Sequence, residues 1–150
     1  MQRPALVLLS LAASALAVAA CGTTPPSPFY TLVAVPAALK PAADAGGVAV
    51  DVGPVGLAEG LDRAQMVTRV GPYEVELHEF SRWAEPLEDN VARVLAEDLA
   101  VALGTQRIGV LPGSETREES WRVSVNVLRL EASADGQSLL VARWRLFKPG

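Results

Sequence analysis

Few residues in this sequence could do chemistry, and the first candidate is His78, its only histidine. His78 lies beside Glu74 and Glu76 on the predicted polar face of a strand, and such a carboxylate could orient the ring as a general base. The three residues would offer a metal one nitrogen and two oxygens, whereas zinc sites usually recruit more nitrogen or sulfur ligands. No serine stands in a nucleophile-elbow motif. We therefore expect no catalytic and no metal site, and interpret His78 as part of a solvated strand face.

The second reactive residue is Cys21, the only cysteine. Residues 1–20 before it contain a short start with one charged side chain, Arg3, and then an apolar, charge-free run over residues 5–18. This run is shorter than the roughly 20 residues that a membrane-spanning helix needs. A cationic start, an apolar middle and small residues at the end are typical of a secretory signal. The alternative, a buried thiol in a core helix, would require all these features to coincide by accident.

The four residues Val18, Ala19, Ala20 and Cys21 resemble the bacterial lipobox. The resemblance implies cleavage before Cys21, diacylglycerol on its sulfur and an acyl chain on the new amino group. Such a triple anchor holds a protein on a membrane, whereas one acyl chain binds only marginally. Gly22 stands where an aspartate would favour the inner membrane, so the resemblance implies an outer-membrane anchor and a domain facing the periplasm. Apart from this covalent lipid we expect no cofactor.

The rest of the chain divides into a tether and one domain. Residues 21–28 are rich in Thr, Pro and Ser, which predicts an extended, flexible tether. Residues 29–150 are long enough for a single domain with one hydrophobic core. The formal net charge is −4, and the basic residues are scattered, so nucleic acid is not an expected partner. With Cys21 acylated, no thiol would remain for a disulfide.

One helix is predicted over residues 86–103. Apolar residues recur there at spacings of three and four, which places them on one stripe. Pro86 suits the first helical position, and Gly104 suits the residue just beyond the helix. The opposite face is expected to be solvated, and it carries Asn90, Arg93, Glu97 and Asp98.

Alternating apolar residues predict strands on both sides of this helix. We place them at 29–35, 48–52, 66–70, 73–78, 108–111, 121–130 and 139–147. Gly53–Pro54 is expected to end the second strand, and a bulge is expected beyond Val127. We interpret the strands at 66–70 and 73–78 as a hairpin. The last two strands, at 121–130 and 139–147, are interpreted as a second hairpin, joined at Asp135–Gly136. The predicted fold is an α+β two-layer domain, a mostly antiparallel sheet with one long helix packed on it.

The order of motifs along the chain resembles the PqiC/YmbA-type auxiliary lipoproteins of ABC transport systems. The matching stretches cover nearly all of residues 29–150: Phe29–Leu32, Val52–Val55, Leu61–Arg63, Gln65–Arg69, Arg82–Leu87, Val94–Glu97 with Leu99, and Ala142–Trp144. Members look like outer-membrane lipoproteins that act with inner-membrane proteins carrying MCE domains, which build lipid tunnels across the periplasm. The resemblance therefore implies a docking or receiving component of intermembrane lipid transport, and no enzyme.

Six residues of the matching stretches are candidate contacts with the MCE-domain partner: Arg63, Met66, Arg69, Arg82, Trp83 and Glu85. Arginine and tryptophan are enriched at interface hot spots, but the same residues could be structural, with Arg82 and Glu85 paired near the helix start. Members also tend to continue into a further strand and helix, so we expect this domain to be incomplete at its carboxyl end. The uncovered sheet could then be a homo-oligomer interface. A lipid-binding carrier that acts alone, and a hydrolase that uses His78, are the alternative functions.

Overall fold

The computed structural model describes residues 26–35, 47–113, 118–133 and 136–150. It contains a seven-stranded sheet and one long helix, α1 (Leu87–Leu103). The strands are β1 (Phe29–Tyr30), β2 (Val50–Leu57), β3 (Gln65–Arg69), β4 (Val75–Trp83), β5 (Ile108–Val110), β6 (Trp121–Ser133) and β7 (Ser138–Phe147). The predicted α+β class with one long helix against the sheet is confirmed. Residues 1–25, which include the predicted signal and most of the tether, lie outside the described part.

Strand β6 organises the sheet. Its first half pairs with β2, and its last residues, Ala132 and Ser133, pair with β3, so β2 and β3 follow one another along the same edge. The other edge of β6 pairs with β7 over nearly the whole length of both strands. Strands β5 and β1 lie outermost, beside β2 and β4.

The prediction of a mostly antiparallel sheet is wrong. Among the described strands, β1–β4, β2–β5, β2–β6 and β3–β6 are parallel pairs, and only β3–β4 and β6–β7 are antiparallel. The two antiparallel pairs are the hairpins that the sequence predicts. The parallel pairs join strands far apart in the chain, and α1 lies in the connection that brings β5 back beside β2, as parallel pairing requires.

The prediction that Gly53–Pro54 ends β2 is wrong, because the strand continues through these two residues to Leu57. The register with β6 shifts between Val52 and Val55, which is a bulge. Gly53 has φ +125°, a conformation that L side chains rarely adopt, and a Cβ there would lie 3.0 Å from the carbonyl oxygen of Leu111. Glycine therefore lets the strand bend without breaking. The predicted bulge in β6 is confirmed by a register shift between Val127 and Arg129.

Helix α1 packs on β2 and β5 and forms the core with them. Ala92 and Ala96 face Val52 and Val55, and these four side chains are buried. The small alanine side chains let the helix approach the sheet closely. Pro86 occupies the N-cap position, one residue before the predicted place, and Gly104 ends the helix in the left-handed conformation, as predicted.

The prediction of a solvated outer helix face is wrong for Asn90, whose exposed fraction is only 1 %. The segment after β1 crosses the start of the helix at this point. The Asn90 side chain accepts a hydrogen bond from the Leu32 backbone N–H at 2.6 Å, and its amide donates to the Leu32 carbonyl at 3.3 Å. Asn90 therefore fastens residues 31–35 to the helix.

Candidate functional site: an apolar groove beside the helix

An apolar groove runs between α1 and the β6–β7 hairpin. It forms because the helix covers β2 and β5, while the same face of β6 and β7 extends beyond the helix. The groove has a volume of about 400 Å³. The apolar side chains that line it come from the helix, β6, β7 and the segment after β1: Val91, Val94, Leu95, Val125, Val127, Leu130, Leu140, Ala142, Leu32 and Val33.

The hairpin register explains why the groove is apolar. Val125 lies opposite Trp144 and Leu130 opposite Leu140, so the apolar residues of both strands point to the helix side. The exposed fractions are 62 % for Leu140, 69 % for Trp144 and 51 % for Leu146. The sequence predicts this apolar face of β7 correctly, and the structure leaves it open. A contiguous apolar surface of this kind marks a site that binds a protein, a membrane or a lipid.

A second, smaller cavity of about 220 Å³ adjoins the groove, since Leu32 and Leu130 line both. Two of the predicted contact residues, Met66 and Trp83, line this cavity. Both side chains are half-buried. The Trp83 backbone N–H donates to the Ala64 carbonyl at 2.8 Å, which holds the end of β4 against the loop before β3.

Arg69 does not line this cavity, but it belongs to an ion-pair cluster with Glu131, which does. Its guanidinium donates two hydrogen bonds of 2.7 Å to the carboxylate of Glu131, which also accepts hydrogen bonds from Arg129. Only 11 % of the Glu131 side chain is exposed. Hydrogen bonds from the two arginines lower the pKa of Glu131 from 4.5 to about 2. This cluster fastens β3 to β6, which accounts for Arg69 without a partner protein.

One interpretation of the sequence expects Arg82 and Glu85 to pair with each other, but they do not. The Arg82 guanidinium donates to the Glu79 carbonyl at 2.9 Å. Glu85 accepts hydrogen bonds from Arg93 at 3.0 Å and from Thr31 at 3.1 Å, and the hydrogen bond from Arg93 is the main cause of its lowered pKa. Glu85 thus takes part in contacts around the start of α1, whereas the Arg82 side chain bonds within β4.

The last predicted contact residue, Arg63, is exposed in the loop between β2 and β3. It lies beside a shallow depression that also includes Val75 and Leu77 of β4. The structure therefore brings Met66 and Trp83 together, and places the four charged candidates at separate points. Cys21 and the cleavage residues Val18, Ala19 and Ala20 are outside the described residues, so their roles stay predictions.

His78 is half-buried on β4, and its Nε2 lies 2.7 Å from the Thr68 hydroxyl. Within the described ranges no group of three potential metal ligands comes together. Over the same ranges, no helix has the length and apolarity needed to cross a membrane.

The residues that sequence reasoning missed are Asn90 and Glu131, because the partners of both come from distant strands or segments.

Comparison with known proteins identifies the class of this domain. The profile of a family described as ABC-type transport auxiliary lipoprotein component matches residues 30–150. Two crystal structures share the fold at 15 % sequence identity. An uncharacterized protein has a TM-score of 0.58, with 82 % of this chain and 79 % of that chain covered. A DUF330 protein from Xanthomonas campestris has a TM-score of 0.52, with 81 % and 78 % covered. No curated protein matches the chain.

The family match thus defines the class of this chain as a transport-associated lipoprotein. The chain belongs to the ABC-type transport auxiliary lipoprotein family, because the match covers most of its length. The family is a transport component and not a family of enzymes, which agrees with the expectation from the sequence. Its description as a lipoprotein component is consistent with a membrane anchor.

Proposed function

We propose that this chain is the outer-membrane-anchored, periplasmic lipoprotein of a PqiC-type intermembrane lipid transport system, and that it docks or receives an inner-membrane MCE-domain partner. The observation that carries this proposal is the open apolar groove beside α1 in a domain of a transport auxiliary family. The exposed side chains of Leu140, Trp144 and Leu146 would be covered in a complex. Burying such side chains contributes about 25 cal/mol per Å² of apolar surface.

Within this proposal, Trp83 and Met66 are contact residues in the smaller cavity that adjoins the groove, and Arg63 is a contact in the exposed loop between β2 and β3. Arg69, Arg82 and Glu85 support the interface indirectly, because each is already engaged within the domain. Truncating Trp83 should therefore weaken the complex directly. Truncating Arg69 should weaken it only as far as the domain is destabilised.

The first test is a mild-detergent pull-down of the acylated protein from its own membranes, expressed from its full reading frame, with mass spectrometry of proteins and lipids. We expect an MCE-domain protein in the eluate, at lower yield from Trp83→Ala and Leu140→Glu. Tyr73→Ala is the matched control, since Tyr73 is fully exposed in the β3–β4 turn, away from the groove. Recovery of a folded, acylated protein without such a partner would contradict the docking role.

A second candidate function is a carrier that holds an acyl chain in the groove itself. The groove favours it because, along the described residues, its lining is apolar except for Asp98. Ligand sites are mostly apolar with a few polar groups, which is this arrangement. Copurification of phospholipid with the wild-type protein, its loss from Leu140→Glu, and no MCE-domain partner would support the carrier over the docking component.

A further inference from the structure

The face of the β6–β7 hairpin that points away from α1 carries three arginines, two from β7 and one from β6. Arg143 and Arg145 alternate on β7, and Arg122 lies on β6. The register places Asn126 opposite Arg143, Ser124 opposite Arg145, and Phe147 opposite Arg122. Residues directly opposite in an antiparallel pair point to the same side of the sheet. Three guanidinium groups and two small polar side chains therefore share one surface of a chain whose net charge is −4.

These arginines lack carboxylate partners among the residues that the structure describes. The ion pairs of those residues use Arg69, Arg93 and Arg129. Arg143 and Arg145 are exposed, and the Arg122 guanidinium lies over the Phe147 ring, 4.8 Å from its centre. Like charges this close repel each other unless an anion lies between them.

The surface is also concave. A groove of about 630 Å³ is lined by Ser124, Asn126, Arg143 and Arg145 on one side. The bulge of β2 contributes Pro54 and Gly56 to the other side, which keeps that wall short and free of charge. Residues two apart on a strand lie about 7 Å from each other, so one group can contact both guanidinium groups.

We propose that Arg143 and Arg145, with Ser124 and Asn126, form a binding site for a phosphate group, carried either by inorganic phosphate or by a phospholipid headgroup. A guanidinium donates two parallel hydrogen bonds to such a group, and these charge-assisted bonds are stronger than neutral ones. The Ser124 hydroxyl and the Asn126 amide add neutral donors. A phosphate has more acceptor oxygens than a carboxylate, which suits four donor side chains. The site lies on the opposite face from the apolar groove and does not depend on the docking role.

The test is a titration of the acylated protein, held in a neutral detergent and labelled with ¹⁵N-arginine, followed by NMR of the arginine Nε–H signals. The titrants are sodium phosphate and the soluble lipid dioctanoyl phosphatidylglycerol, both at constant ionic strength in sodium chloride. We expect the Arg143 and Arg145 signals to move and to saturate. Response to phosphate identifies the free anion as a ligand, whereas response to the lipid alone identifies the headgroup.

Variants complete the test. Arg143→Gln and Arg145→Gln should each weaken binding about tenfold, because each removes a charge-assisted contact. Arg107→Gln is the control, since Arg107 is exposed elsewhere and the hydrogen bond of its side chain to a described residue is to the Gly47 carbonyl. Absence of saturable shifts with both titrants, or equal affinity in the Arg143→Gln and Arg107→Gln proteins, would overturn the proposal.

Discussion

At the scale of single residues, Asn90 has the clearest structural role. Its buried side chain forms two hydrogen bonds with the backbone of Leu32. Asn90→Ala would leave the Leu32 N–H without this acceptor, and we expect unfolding free energy to fall by about 1–3 kcal/mol. Urea denaturation followed by circular dichroism measures this change. Glu97→Ala, on an exposed part of the same helix, should change the unfolding free energy little. An equal loss of stability in both variants would contradict the stabilising role of the Asn90 hydrogen bonds.

Glu131 makes stability depend on pH. Its folded-state pKa of about 2 lies below the ordinary value of 4.5, so the folded protein binds this proton less readily than the unfolded chain. The stabilisation is complete above about pH 5 and is lost as the pH falls towards 2. Glu131→Gln should therefore lower stability at pH 7 and flatten its decrease between pH 5 and 3. Urea titrations across this range, with Glu59→Gln in an exposed turn as control, test this; an unchanged slope in Glu131→Gln would refute it.

At the scale of secondary structure elements, Gly53 permits β2 to continue across its bulge. L side chains rarely adopt its φ of +125°, and a Cβ there would lie only 3.0 Å from the Leu111 oxygen. We expect Gly53→Ala to lower the unfolding free energy by about 1–3 kcal/mol, the usual range for a strained backbone position. Gly60→Ala is the matched control, because a Cβ there meets nothing within 4 Å. Thermal unfolding of both variants compares them, and a similar Tm for the two would contradict the role of Gly53.

The elements differ in how far the sequence could predict them. The periodicity of α1 and the two hairpins are local properties, so the helix, the β3–β4 and β6–β7 pairs and the apolar face of β7 were all predictable. The parallel pairing of β2 with both β5 and β6 depends on contacts between distant segments, and no local pattern encodes it. The extension of β2 through Gly53–Pro54 was missed because both residues usually end strands.

The candidate site follows the same division. Alternation along β7 predicts that Leu140, Trp144 and Leu146 share a face, whereas the groove exists only because α1 lies over β2 and β5 and leaves that face open. Similarly, Arg143 and Arg145 are neighbours in the sequence, but Ser124 and Asn126 join them only through the register of the hairpin. Charge counted along the chain therefore failed to reveal a cationic surface on an acidic protein.

At the scale of the whole molecule, we expect a charge added to the apolar face of the sheet to weaken ligand binding there and to leave folding stability nearly unchanged. Trp144→Glu introduces a carboxylate on the apolar side, where Trp144 is 69 % exposed. Folding stability should change by less than about 0.5 kcal/mol, as for most surface substitutions, while binding of an apolar fluorescent probe should fall. Fluorescence titration measures this, with Tyr73→Glu as control. Equal probe binding by wild type and Trp144→Glu would show that the apolar face of β7 around Trp144 is not the binding surface.

Membrane attachment is the last property of the whole molecule, and the proposal assigns it to Cys21 alone. Each buried methylene contributes about 0.8 kcal/mol, so loss of all acyl chains should release the protein completely. Cys21→Ala should abolish incorporation of radioactive palmitate and move the protein out of the outer-membrane fraction, whereas Gly22→Ala should retain both. Sucrose-gradient fractionation of cells that express each variant measures the distribution. Outer-membrane retention of the unacylated Cys21→Ala protein would mean that the domain itself binds that membrane, through one of the two faces described above.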